Sequence, residues 1–286
     1  MAEIVFAAGI PHAPAVVGLF EKAPDEARAV VAATFGAVAR AMAAARPDVL
    51  LVFGNDHLTN SRISAYPDFI IGLADRHAGP HEWFKEWIGC RDWALPGDPE
   101  VARALFKGLT KRGFRLNAEA GPLKFDDNLS VPTVMTELDS TGIRVVPVLQ
   151  NCTVPPFPDE RRCYALGQAV AACIAEDMPA GLRVGLLGSG GLSHEPGGAR
   201  YFKIDEAFDQ HFLKLASQPD HAAFLREITI PRMEQAGLGG TAEVLSWFIV
   251  MGAIGERCGE SFGYTGWPSF RCGIGGVVWD LTKEAA

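Results

Sequence analysis

With 286 residues, the chain is long enough to bury a sizeable core without disulfides or a structural metal. Hydrophobic residues at 48%, charged residues at 21% and no long polar tract exclude an intrinsically disordered protein. A formal net charge of -8 and a pI near 5.4 leave no basic excess for phosphate backbones or anionic lipid, so neither nucleic acid nor a membrane is an expected partner.

Residues 1–15 are apolar but lack a basic start and meet Pro11 and Pro14, which argues against a signal-peptide helix. Within them, residues 4–8 read as a strand. Residues 24–45 form an alanine-rich helical pattern with Asp25 and Glu26 at its front and Arg40 and Arg46 towards its end, and Pro47 stops it before a strand at 49–53. Further strands are predicted at 69–71, 143–149 and 184–187, and further helices at 99–111, 160–176, 204–216 and 241–255. Gly239-Gly240-Thr241 supplies a turn and N-cap for the last of these, and its apolar run 244–254 is too short to span a bilayer and reads as a core helix. Residues 75–97 and 151–159 are expected to be long surface loops near a pocket. The segment 261–281 returns to β-like alternation, punctuated by Gly263, Gly266 and Gly273 to Gly276.

This alternation predicts one α/β domain over residues 1–286, a central mixed sheet flanked by helices with its active site at the carboxyl ends of strands. Six cysteines occur without a CxxC pair, which fits reduced, buried thiols in a cytoplasmic protein.

Three of the seven histidines stand directly after predicted strands, in Gly9-Ile10-Pro11-His12, Gly54-Asn55-Asp56-His57 and Gly188-Ser189-Gly190-Gly191-Leu192-Ser193-His194. Ligands collect outside the carboxyl ends of strands in α/β sheets, so these side chains are expected to converge although far apart in sequence. Glu243, flanked by Val244, Leu245, Trp247 and Phe248, is a carboxylate in an apolar setting that needs a partner. Helix capping would satisfy it, and so would metal binding. Two imidazoles and one carboxylate make the facial set that holds Fe(II) with open positions, although zinc or manganese suits the same donors.

Taken in order, Pro11-His12, Asn55-Asp56-His57, the GSGGLSH run and Gly239-Gly240-Thr241-Ala242-Glu243 resemble the class III extradiol ring-cleavage dioxygenases, the type of the catalytic subunit of protocatechuate 4,5-dioxygenase. The resemblance implies a non-haem Fe(II) enzyme that uses O2 as co-substrate to open a vicinal-dihydroxy aromatic ring. It implies His12, His57 and Glu243 as metal ligands and His194 as a non-ligating acid/base, a division that spacing alone does not provide. A small accessory subunit or a homo-oligomer is the partner it implies. Asn55 and Asp56 are candidates for orienting ligands from behind, and Ser269 for contacting substrate. The alternatives are a zinc or manganese hydrolase on the same donors, or a scaffold that has lost the reaction.

One departure concerns Phe125-Asp126-Asp127-Asn128-Leu129-Ser130-Val131-Pro132, where related enzymes carry a pocket histidine. Asp127 or Asn128 in its place is expected to repel a carboxylated catechol and to favour a hydroxypyridine, aminophenol or polyphenol. His77 and His81 are expected in a loop bordering the pocket, and His211 and His221 in solvent. The run from Gly188 to Gly191 lacks a P-loop lysine and the GxGxxG pattern, so no nucleotide site is expected.

Overall fold

The computed structural model describes residues 1–282. Strand β1 (Glu3–Ile10) leads through one helical turn, α1 (Ala15–Gly18), into α2 (Asp25–Ala45). Arg46 closes α2 in the left-handed region at φ 47°, and Pro47 bars its continuation before β2 (Val49–Asn55). Next come β3 (Phe69–Gly72), β4 (Arg76–Gly79), α3 (Glu82–Ile88), β5 (Trp93–Pro96), α4 (Pro99–Lys111) and β6 (Asn117–Glu119). The middle of the chain supplies α5 (Asp127–Thr136), β7 (Arg144–Gln150), α6 (Glu160–Asp177) and β8 (Arg183–Ser189). Helices α7 (Glu206–Ala216), α8 (His221–Glu227), α9 (Ile230–Ala236) and α10 (Leu245–Ile254) precede the final strands β9 (Gly259–Thr265) and β10 (Ile274–Trp279).

Eight strands form one mixed sheet in the order β6-β3-β7-β2-β8-β1-β10-β9, while β4 and β5 pair separately. The centre, β7-β2-β8-β1, is parallel, and β10 runs antiparallel to β1. In register, Ile10 stands beside Ser189 and Asn55 beside Gln150, so the loops leaving these strands emerge on one edge. The α/β expectation therefore holds, with every strand read from the sequence present.

Two helices show why the faces are covered as they are. Val31, Phe35, Val38 and Met42 form a buried stripe at helical spacing along α2, which packs against β1, β9 and β10. By length and composition α2 is also apolar enough to cross a membrane, the one such helix among the described residues. All ten residues of α10 are buried, because it lies between α6 and strands β1, β2 and β8.

The differences from expectation are local. Residues 75–97 are not a surface loop but the β4-α3-β5 excursion, whose His77 is buried against Phe125 at 5.7 Å between ring centroids. Burial pushes His77 down to about 4. His221 is likewise buried rather than solvated, 2.9 Å from the Tyr164 hydroxyl, whereas His211 pairs with Glu227 at the surface. Helix α5 carries Pro132 and is buried on nearly every side, so it presents no periodic apolar stripe to a sequence reader. Thr241 does not cap the helix it opens: it is the first residue of a 3-10 turn, Thr241–Val244, and its hydroxyl accepts from the His194 amide at 3.3 Å.

Candidate active site

The loops after β1, β2 and β8 bring His12, His57 and His194 to one carboxylate, that of Glu243. His12 Nε2 lies 3.0 Å from Glu243 Oε2, and His57 Nε2 and His194 Nε2 lie 3.2 and 3.1 Å from Glu243 Oε1. Glu243 caps no helix; its Oε2 accepts from the backbone N–H of Gly191 at 3.0 Å.

Each imidazole is held from behind, and the outer partner sets its tautomer. Pro132 has no N–H to give the carbonyl four residues earlier in α5, that of Asn128, which instead accepts from the Ser189 hydroxyl at 2.7 Å. Having spent its only proton there, Ser189 Oγ accepts from His12 Nδ1 at 3.0 Å. His57 Nδ1 faces Asp126 Oδ2 at 3.0 Å and Asp127 Oδ1 at 3.3 Å, and His194 Nδ1 donates to the Leu192 carbonyl at 2.8 Å. All three Nδ1 atoms therefore carry the proton in the neutral ring, and three Nε2 lone pairs point at an anion.

Such an arrangement repels itself unless a positive charge stands between its members. Burial alone would raise Glu243, but His194 and His12 hold it well below the usual carboxylate range. Burial alone would lower His57 and His194, yet the Asp126 charge raises the first and Glu243 the second, both well above the ordinary imidazole value. His12 Nε2, fully enclosed, makes no aligned hydrogen bond even at 3.0 Å from the carboxylate. A divalent cation fits this donor set, since it replaces the protons that otherwise occupy the focus. Asp127 is a further donor within reach: one ligand atom each from His12, His57 and Asp127 lie within 4.8 Å of one another. Burial and the neighbouring Asp126 charge raise the Asp127 carboxyl, while His57 holds Asp126 below its ordinary range against the effect of burial.

The glycine run after β8 serves close approach rather than phosphate. A Cβ on Gly190 would stand 2.0 Å from the Glu243 carbonyl oxygen, and one on Gly191 would meet the His194 ring at 2.7 Å and Glu243 Oε2 at 3.0 Å. Behind it, buried Asp209 accepts from the Ser193 amide at 2.7 Å and from the Ser193 and Tyr264 hydroxyls at 2.8 Å each, fixing the approach to His194.

The cluster lines a cavity of about 270 Å³, with Phe84 and Trp87 of α3 on one wall and Asp127 and Arg271 on others. Several expected residues take different places. Asp56 does not touch the His57 ring: it accepts from Asn60 Nδ2 at 2.8 Å and the Tyr66 hydroxyl at 2.7 Å, pinning the following turn. The carboxylate behind His57 is Asp126, which the sequence analysis did not single out beside Asp127 and Asn128; it also caps α5 by accepting from the Asn128 amide. Asn55 accepts from Gln150 Nε2 at 2.8 Å, away from the imidazoles, and Asn128 is buried with its amide donating to the Asn55 carbonyl at 2.6 Å. Ser269 lies outside the cavity lining, which its neighbours Phe270, Arg271 and Cys272 supply.

Comparison with known proteins places this geometry in context. A family model described as the catalytic LigB subunit of aromatic ring-opening dioxygenase matches residues 6–274. A gallate dioxygenase of Pseudomonas putida is 36% identical over 130 residues, 43% of this chain and 36% of the relative. A 2,3-dihydroxyphenylpropionate/2,3-dihydroxicinnamic acid 1,2-dioxygenase of Xanthobacter autotrophicus is 31% identical over 196 residues, 65% of this chain and 56% of the relative. The matches thus span between about a third and somewhat over half of these relatives. A crystal structure of an uncharacterized protein from Escherichia coli K12 has the same fold, with a TM-score of 0.54 at 16% identity over 96% of this chain and 99% of that one.

Proposed function

The chain belongs to the LigB family of catalytic subunits of aromatic ring-opening dioxygenases, and from that premise we propose that it is an Fe(II)-dependent extradiol enzyme that uses O2 to open a vicinal-dihydroxy aromatic ring in the breakdown of aromatic compounds. The observation that carries this reading is the convergence of three Nε2 atoms on the Glu243 carboxylate at 3.0–3.2 Å. His12, His57 and Glu243 are the proposed ligands, with His194 left free beside them. Bound Fe(II) would supply a Lewis acid that favours the ionised diol and brings the electron-rich ring next to O2.

The protein's own groups do the rest. The Leu192 carbonyl keeps the His194 proton on Nδ1, so Nε2 is open to take a proton from a substrate hydroxyl and return it to an oxygen later. Ser189 and Asp126 hold the His12 and His57 rings in the orientation that presents Nε2 inward. The apolar wall of Phe84 and Trp87 excludes water from the face of a bound ring. Leu58 and Trp87 line the cavity yet remain exposed, as does Phe202 nearby, and this apolar rim supports a second copy of the chain or a small accessory subunit as its cover. All six cysteines are free, in keeping with a reducing, cytoplasmic setting.

The reading is tested by loading the protein with Fe(II) under argon, admitting air with a panel of catechols, aminophenols and dihydroxypyridines, and following absorbance and product mass. A ring-opened chromophore is the expected result, and none across the panel would overturn it. Loading with zinc, which has no redox chemistry to offer O2, should give no product; equal turnover with zinc would contradict the dependence on Fe(II). Asp126→Asn, which weakens the charge behind His57 while leaving a cap acceptor, is expected to lower metal affinity by about 10- to 100-fold, measured by competition with a chelator.

A further inference from the structure

Leu192 and Ser193 share one peptide group, and both of its ends are engaged. Its carbonyl accepts from His194 Nδ1 at 2.8 Å, and its N–H donates to Asp209 Oδ1 at 2.7 Å. The bond is trans, so carbonyl and N–H lie in one plane and point opposite ways, towards the imidazole on one side and the carboxylate on the other. Whatever turns this plane therefore turns the support of His194.

Asp209 belongs to α7 and is wholly buried, yet it does not line the cavity. Nor does it cap its helix, because Asp205 already fills that role by accepting from the Phe208 amide at 3.0 Å. Its second oxygen, Oδ2, accepts from the Ser193 and Tyr264 hydroxyls at 2.8 Å each. The Ser193 hydroxyl is fixed in turn by the Asp205 N–H at 2.8 Å, and the Ser193 carbonyl by the Gly273 N–H at 3.3 Å. A Cβ on Gly273 would stand 1.9 Å from Asp209 Oδ2, so the turn ahead of β10 closes directly on the carboxylate. These three partners are uncharged, one amide and two hydroxyls. Burial and, less strongly, the Asp205 charge push Asp209 up to about 6 against their effect, which leaves it ionised at neutral pH. A buried anion is costly, and here its charge falls on the peptide that carries His194.

We propose that Asp209 is a positioning residue for His194, the far end of a carboxylate–peptide–imidazole relay that orients the ring and strengthens Nε2 as a proton acceptor. This rests on the proton-carrying role given to His194 under the ring-opening reading. The anion draws on the Ser193 N–H, the peptide polarises, and the Leu192 oxygen gains negative charge. A stronger acceptor there holds the proton on Nδ1 and enriches the lone pair on Nε2, as a carboxylate bonded directly to an imidazole would. No proton travels along the relay: His194 takes one from a substrate hydroxyl at Nε2 and gives it back from the same atom.

Two measurements test the relay, one of them without turnover. In zinc-loaded protein carrying ¹⁵N-histidine, the Nδ1–H resonances of His12, His57 and His194 report the three rings separately. Above the pH at which Asp209 ionises, Asp209→Asn keeps an acceptor for the Ser193 N–H but not the charge. It should move the His194 resonance upfield and leave the other two in place. Tyr264→Phe takes a donor from Oδ2 and leaves more of the charge to the Ser193 N–H, so it should move the same resonance downfield, and it serves if Asp209→Asn does not fold. An unmoved His194 resonance, or equal movement of all three, would overturn the relay. In turnover with Fe(II), Asp209→Asn should lower kcat by about 10-fold while metal content and anaerobic substrate affinity stay within about 3-fold of wild type. In a His194→Gln background the same change should cost nothing further, and equal losses in both backgrounds would also overturn the proposal. A shift confined to His194 in protein that gives no ring-opened product in air upholds the relay and counts against the ring-opening reading alone.

Discussion

Replacing Glu243 with alanine is expected to strip the protein of its divalent ion. The carboxylate is the single group touching His12, His57 and His194, and its charge is what makes the focus of three lone pairs favourable for a cation. Loss of an outer partner costs about 10- to 100-fold in metal affinity, so loss of the anionic ligand should cost more, on the order of 10³-fold. Metal content after anaerobic loading and desalting checks this. Glu243→Gln keeps the shape and the acceptor for the Gly191 amide but not the charge, and should lose the metal nearly as completely. Retention of stoichiometric metal by both variants would move the ligand role to another carboxylate, and Asp127 is within reach of His12 and His57.

Substituting His194 by alanine should have the opposite signature: metal retained, turnover lost. The proposed role of His194 is proton transfer, which is worth about 10²–10⁴-fold in rate, so kcat should fall by that much while metal content stays at the wild-type level. The Leu192 carbonyl that anchors its Nδ1 is separate from the groups that hold the other two rings from behind, so removal leaves the Ser189 and Asp126 supports intact. His194→Gln provides a bulkier control. If metal and turnover fell together in both, His194 would be a ligand rather than a proton carrier.

Much of this architecture was legible in the sequence because the signals were local. Strands β1, β2 and β8 announce themselves as apolar runs ending in glycine- or proline-containing turns, and the histidines follow directly, so convergence could be inferred from sheet geometry alone. Glu243 stood out as a charge in an apolar stretch. What stayed hidden depends on contacts across the fold. Asp126 reaches His57 over 69 positions, and only the packing of α5 decides which of two adjacent aspartates faces the ring fully. The Pro132–Asn128–Ser189–His12 chain could not be read without coordinates, because a proline inside a helix ordinarily argues against the helix itself. Nothing in the sequence singles out Arg271, and the candidate there, Ser269, lies outside a cavity that its neighbours Phe270, Arg271 and Cys272 line.

The most direct test of the account is the fate of molecular oxygen. Fe(II)-loaded protein given a dihydroxybenzoate and ¹⁸O2 in ordinary water should release a ring-opened product into which both labelled atoms have entered, apart from carboxyl or aldehyde exchange with solvent. A product carrying no label, or one formed equally well under argon, would contradict it.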